Sequence, residues 1–300
     1  MASVIQIILN GLVLGGVFLI VAIGLNIIYG LNRVMNLAHG SLYALGAYFG
    51  YTLVTGKVLL FGLDFEFGGL NFFLALILAP ALVGLVGWVL ERVLIEPMRD
   101  RPMIYTLILT YGLMFLIDGL IKANWGDTPH YIIPPEFLQK PVYIGDFSYP
   151  AYRFALLVGV AVVMGLLMTL LNRTRMGINM RAAADIPEMV SALGVNLKAV
   201  RVGAFVLGCV MAGIAGFLVG PLYPILPIMG HDMLISSFVV IVIGGLGSLR
   251  GVIVAALLVG FVQALAEAVI TNFAMVIVYM LMAVILVFKP YGILGEGKFE

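Results

Sequence analysis

Runs of about twenty apolar residues recur along this chain, and they restrict its fold more than any other feature does. A helix rises about 1.5 Å per residue, so roughly 20 apolar residues cross a hydrocarbon core about 30 Å thick. Nine such runs stand between polar or Gly/Pro breaks, at 4–29, 37–54, 70–90, 103–121, 154–171, 202–222, 234–249, 252–270 and 273–288. Composition agrees: 63% of the residues are hydrophobic and 10% charged, where a soluble domain carries about a quarter charged. The expected fold is an all-α, polytopic transmembrane helical bundle with eight or nine membrane segments. The polar stretches are too short to build a soluble core, so 1–300 is expected to form a single transmembrane domain. The second and seventh runs are short and glycine-rich, which makes each a candidate half-helix or re-entrant segment. A bilayer tolerates such backbone only where protein or a water-filled cavity covers it. The first run lacks a basic leader and exceeds the apolar core of a signal peptide, so it is expected to remain as a helix.

Lys and Arg in the connections set the orientation, because loops on the cytoplasmic side retain them. Nine passes with the N-terminus outside place twelve basic residues, from Arg33 to Lys298, on the inner side. Four, Lys57, Lys122, Lys140 and Arg153, fall outside. The C-terminus, 295–300, is then cytoplasmic. A net charge of +1, with no basic stripe, gives no sign of a nucleic-acid partner.

Two connections exceed a tight turn. The external one, 122–152, holds Trp125, Pro129, Pro134, Pro135, Pro141 and Pro150, which denies regular helix and fits either an ordered cap or a passive linker. The internal one, 172–201, reads as helix, helix, then membrane. Residues 176–184 form the first helix. Asp185 is positioned to cap the second, with Glu188 reciprocating three residues later and Pro187 in the first turn. Gly194 supplies a left-handed stop, and Asn196 caps the sixth pass. Such a loop presents a rigid knob to a soluble partner or lies on the lipid surface.

Polar residues at membrane depth are functional candidates, since each is costly unless it faces protein or water. Asn26, Asn36, His39 and Ser41 gather at the first inner turn, where they satisfy reversed backbone or line a pathway mouth; the first use is favoured. Asp118 and Glu267 fall near outer ends and read as interfacial, with Lys122 in reach of Asp118. Gln263 lies deeper, suited to an interhelical hydrogen bond or to solute. Gly245 and Gly247 lie in a glycine-rich turn, 244–251, that is either plain or a hinge or gate. Gly11-x-x-x-Gly15 and Gly216-x-x-x-Gly220 allow close helix approach. Cys209 has no partner thiol in the chain. No phosphate-loop motif occurs, so ATP hydrolysis needs another chain. His39, His130 and His231 are scattered, and neither an H-E-x-x-H nor a G-x-S-x-G motif is present, so no catalytic or metal-ligand set is expected.

Three stretches carry a family resemblance: GLNRVMNLAHGSLYALGAY at 30–48, the loop 176–194 with Gly177, Arg181, Ala182, Asp185 and Ala192-Leu193-Gly194, and VIGGLGSLRG at 242–251. Together they resemble the branched-chain amino acid ABC transporter permeases of the LivH type. The resemblance implies an inner-membrane permease subunit passing leucine and other branched-chain amino acids into the cytoplasm by alternating access. It also implies a second, LivM-type permease, two cytoplasmic ATPase subunits and a periplasmic or external substrate-binding protein. ATP would be used by those partners, with no cofactor in this chain. Arg181, Ala182, Asp185, Glu188, Leu193 and Gly194 would couple to the ATPases, while Asn36, His39, Ser41, Gln263, Gly245 and Gly247 would line or gate the pathway. Relatives for urea, amides or other amino acids share these motifs. An ion-coupled carrier, the rival class, needs ionisable groups near the midplane, and the passes offer few.

Overall fold

A computed structural model describes residues 2–60, 63–99, 101–144 and 147–295. Lys298 and the C-terminal residues 296–300, used above for orientation, lie outside that range, as does Asp146.

Every apolar run becomes a helix. The described helices are α1 (Ala2–Asn32), α2 (His39–Thr55), α3 (Phe72–Leu90), α4 (Met103–Trp125), α5 (Glu136–Gln139), α6 (Ala151–Arg173), α7 (Arg175–Asp185), α8 (Pro187–Ala192), α9 (Leu197–Val219), α10 (Met229–Gly244), α11 (Leu249–Val269) and α12 (Ala274–Phe288). Among these, α1, α3, α4, α6, α9 and α11 are long and apolar enough to span a membrane. With 17, 16 and 15 residues, α2, α10 and α12 are shorter. After Leu90, α3 continues through a π turn (Glu91–Ile95) and a 3-10 turn (Glu96–Met98). The protein is thus an all-α polytopic bundle.

Burial separates centre from periphery. The most apolar windows of α1 and α9 are 67% buried against 22% for α6. Ile77 and Leu85 on α3, Val158 and Leu166 on α6 and Val287 on α12 are exposed, which is the surface expected where lipid is the solvent. Transmembrane association lacks a hydrophobic driving force, so contact depends on small residues. Gly260 approaches the backbone of Gly11 and Gly15, joining α1 to α11 as the glycine spacing predicts. Gly24 meets Gly208, Gly46 meets Gly213, and Gly216 abuts the Tyr43 carbonyl, which seats α9 against α1 and α2.

The second run is a helix that begins inside the bundle. Arg33 adopts φ 54° and reverses the chain after α1, and His39 then lies 3.1 Å from the Val21 carbonyl. Val21 precedes the end of α1 by eleven residues, about 16 Å. The first turn of α10 meets α2 there, since Gly40 and Gly230 each face the other's backbone.

Two short antiparallel hairpins depart from the helical expectation. β1 (Lys57–Leu60) pairs with β2 (Leu63–Glu66), and β3 (Pro141–Ile144) with β4 (Phe147–Pro150). In the connection after α4, α5 supplies one helical turn where proline content argued against any. His130 and Ile225 exchange backbone hydrogen bonds of 3.1 and 2.8 Å, and the Trp125 indole donates to Thr52 Oγ1 at 2.8 Å.

Gly46→Val places a branched side chain against Gly213 backbone, and overpacking of this kind costs about 1–3 kcal/mol. The detergent-solubilised variant is expected to melt several degrees below the parent; an equal melting temperature would show that α2 and α9 do not approach this closely.

Candidate functional site

The loop 172–201 folds as a two-helix knob. Thr174 caps α7 by accepting a hydrogen bond from Gly177 N–H at 3.1 Å, and Asn196 caps α9 by accepting from Ala199 N–H at 3.1 Å. Gly194 has φ 80°. Its N–H donates to Ser191 at 3.0 Å and that of Val195 to Val190 at 3.3 Å, the paired bonds of a Schellman stop. The capping box does not form. Asp185 is the last residue of α7, and Ile186, which makes no side-chain cap, stands at the N-cap of α8. The helix through 175–185 runs one residue too far for Asp185 to take the extended conformation that capping needs. Pro187 does occupy the first turn.

One face of the knob holds it to the bundle. Gly177, Met180, Ala183 and Val190 are buried, and Gly203 of α9 packs against the Met176 and Met180 side chains. The opposite face carries the predicted coupling residues: Arg181, Ala182, Asp185, Glu188, Leu193 and Gly194 are all exposed. Leu193 is 77% exposed and Met189 57%, an apolar tip ringed by charge. At this end, Glu96 pairs with Arg92 at 3.2 Å and with Lys198 of α9 at 3.3 Å. Arg99 pairs with buried Glu91 of the π turn.

Inside the bundle the structure gathers a polar cluster the sequence did not show. Ser41 Oγ donates to Asp118 Oδ1 and His231 Nε2 donates to Asp118 Oδ2, each at 2.7 Å. Ser41 is buried, and Asp118 nearly so. Asp118 is therefore an interior carboxylate joining α2, α4 and α10; Lys122 pairs instead with Asp127, at 3.2 Å. His39 is fully buried, donates to Val21, and keeps Nδ1 without a partner among the described residues. Asn36 is buried with neither amide atom bonded among them.

The remaining pathway candidates lie elsewhere. Gly245 and Gly247 have φ 101° and 85° and turn α10 into α11, where Ser248 caps by accepting from Gly251 N–H at 3.1 Å. Asn26 of α1 accepts from Gly247 N–H at 2.8 Å, and Ile293 N–H donates to Ile243 at 2.8 Å, so this turn is held from both sides. Gln263 donates to Glu267 at 2.9 Å. Both line a cavity of about 250 Å³ between α1, α2, α10 and α11, with Val13, Val17 and Phe18 on its apolar wall and Tyr43, Tyr223, Asp232 and Ser236 completing its polar side. Burial pushes the Tyr223 phenol above its ordinary value, so it stays neutral.

An apolar helical bundle with six helices long enough to span a membrane, an exposed two-helix knob and an interior polar cluster has the build of a multi-pass membrane protein. The profile of the family described as "Branched-chain amino acid transport system / permease component" matches residues 7–287, and the chain belongs to that family. It is 29% identical to the high-affinity branched-chain amino acid transport system permease protein LivH of Salmonella typhimurium, over 97% of this chain and 95% of the relative. The corresponding protein BraD of Pseudomonas aeruginosa is 27% identical, over 98% and 97%. LivM of Escherichia coli is 25% identical, over 93% of this chain and 68% of that protein. No solved structure matches.

Asp118→Ala leaves Ser41 and His231 facing an unfilled site and should cost roughly 1–3 kcal/mol through unsatisfied polar groups. A lowered melting temperature in detergent, partly restored by Asp118→Asn, is the expected outcome; unaltered melting would remove the cluster from the account of the interior.

Proposed function

We propose that this chain is the membrane-spanning permease subunit of an ABC importer, carrying branched-chain amino acids into the cytoplasm by alternating access. The observation that carries the reading is the α7–α8 knob. It is anchored by Met180, Ala183 and Val190, stopped by a Schellman motif, and offers Arg181, Asp185, Glu188 and Leu193 outward. A surface so fixed suits transmission of force from soluble ATPases better than lipid contact, because its apolar tip stands on a charged ring. Membership of the branched-chain amino acid permease family, and likeness to both LivH and LivM proteins, support a pair of homologous permeases. Two ATPase subunits and an external binding protein complete the assembly in this reading, with the N-terminus outside and α7–α8 in the cytoplasm of a cell whose inner membrane holds it.

Asn36, His39 and Ser41 act from the start of α2, and Gly245 and Gly247 from the α10–α11 turn, as pathway and gate elements. The part-buried Asp118–His231 pair also suits a different reading, an ion-coupled carrier, since such machines place ionisable groups within the bundle. Uptake by the purified permease in liposomes, driven by an ion gradient and without ATPase subunits, would decide for the carrier.

Glu188→Lys puts a reversed charge on the exposed face without touching the buried one. A like-charge contact costs several kcal/mol at an interface, so amino acid uptake and ATPase co-purification should fall by about tenfold or more, with insertion and expression unchanged. Uptake equal to the parent would sink the coupling assignment.

A further inference from the structure

The cavity beside α10 has a consistent chemical polarity. Its wall of Val13, Val17, Phe18 and Met233 is apolar, while Asp232 and Glu267 bring two carboxylates to its rim. Among the described residues no Lys, Arg or His lines it, although Arg153 acts electrostatically on Tyr223 of the lining, and neither carboxylate forms an ion pair. Glu267 accepts only the neutral Gln263 amide, at 2.9 Å. This contrasts with Asp118, whose two oxygens are both taken by Ser41 and His231. Tyr43 supplies a second, independent sign that the cavity takes a polar partner. It is 2% exposed and lines the cavity, and its hydroxyl has no hydrogen-bond partner among the described residues. A buried hydroxyl facing a polar cavity is ordinarily bonded to protein, water or ligand.

Resting on the amino acid reading above, we infer that this cavity is a solute site in which Asp232 and Glu267 hold the ammonium group of an amino acid and Val13, Val17 and Phe18 receive its apolar side chain. Size fits: a water occupies about 30 Å³ in the liquid, so some 250 Å³ admits one small amino acid. Charge fits as well. Two carboxylates with no cation among the lining residues favour a positively charged head and repel an anionic one, and apolar walls strengthen that field. The site therefore discriminates by the amine, taking amino acids and apolar amines while rejecting the matching 2-oxo acids. Ser236, which donates to the Asp232 carbonyl at 2.9 Å, lies in the same wall and offers a reporter position.

The test uses the full transporter, permease pair with ATPases, in proteoliposomes. Cys209 is fully buried, so Ser236→Cys introduces the reactive thiol, and Met233→Cys is a second reporter should the first fail to fold. A cationic methanethiosulfonate is expected to label the thiol at least about tenfold faster than an anionic one, the lower end of electrostatic focusing in a charged cleft. Adding Asp232→Asn and Glu267→Gln should bring the two rates together. Leucine and isopentylamine should slow labelling, whereas 4-methyl-2-oxopentanoate should not. Equal rates for the two reagents, protection by the oxo acid as strong as by leucine, or no labelling at either position would overturn the site. Leucine uptake by the wild-type transporter, measured in parallel, separates the two claims. Its absence alongside charge-selective labelling and protection by isopentylamine would defeat the amino acid transport reading and leave the amine site standing.

Discussion

Two helices in this bundle begin in its interior, and the backbone contact between Gly40 and Gly230 is what makes that arrangement possible. A helix start leaves up to four N–H groups without intrahelical partners, and hydrocarbon supplies none. Each such group must be met by protein. Glycine lets the first turns of α2 and α10 come together, so that Ser41 of one and His231 of the other both reach Asp118. His39 N–H donates to the Asn36 carbonyl at 3.2 Å. Asp118, reaching in from α4, places negative charge beside two helix N-termini, where the aligned peptide dipoles favour it. The carboxylate is thus a consequence of the half-helices. With side chains at Gly40 and Gly230 the helices would separate, and the carboxylate would be left among apolar groups.

α9 connects this interior to the knob. It follows directly after the α7–α8 loop, capped by Asn196, and is among the most buried spans. Its glycines face α1 and α2 in sequence, Gly208 against Gly24 and Gly213 against Gly46. Close-packed backbone leaves little room for independent side-chain adjustment, so displacement at the start of α9 shifts the helix as a unit against both neighbours. The Glu96–Lys198 pair also joins α9 to the 3-10 turn that follows the π turn, but Lys198 is largely exposed, and exposed pairs contribute only about 0–1 kcal/mol. Glycine packing is the stronger link between the two ends.

What the sequence revealed follows from the range of each interaction. Apolar length is a local property, and all nine runs correspond to helices. The stop at Gly194 and the cap at Asn196 are also local, since their bonds close within a few residues. Asp185 satisfied the same local pattern and failed, because α7 extends through it and the break comes at Ile186. Asp118 was misread for a different reason. Its partners lie 77 and 113 residues away in the chain, and only packing of α2, α4 and α10 brings them together, whereas nearby Lys122 was the partner the sequence suggested. The hairpins carry too few residues for an alternating pattern to stand out. The glycine spacings were legible as contact sites without indicating which helix each would meet.

Four carboxylates in this protein fall into three states, distinguished by depth and by partner chemistry together. Glu91 is fully buried and paired with Arg99; it belongs to the structure of the π turn. Asp118 is nearly buried and held by a hydroxyl and an imidazole, so its charge is satisfied by neutral or titratable donors. Asp232 and Glu267 line a cavity without any basic residue. Charge in a low-dielectric surrounding is costly when uncompensated. Glu91 and Asp118 are therefore compensated within the bundle, whereas Asp232 and Glu267 are exposed at the cavity rim, where they are free to meet a cation that arrives from outside the chain. Sequence position placed Glu267 merely at a helix end; its relation to Asp232 and Tyr43 gives that position its chemistry.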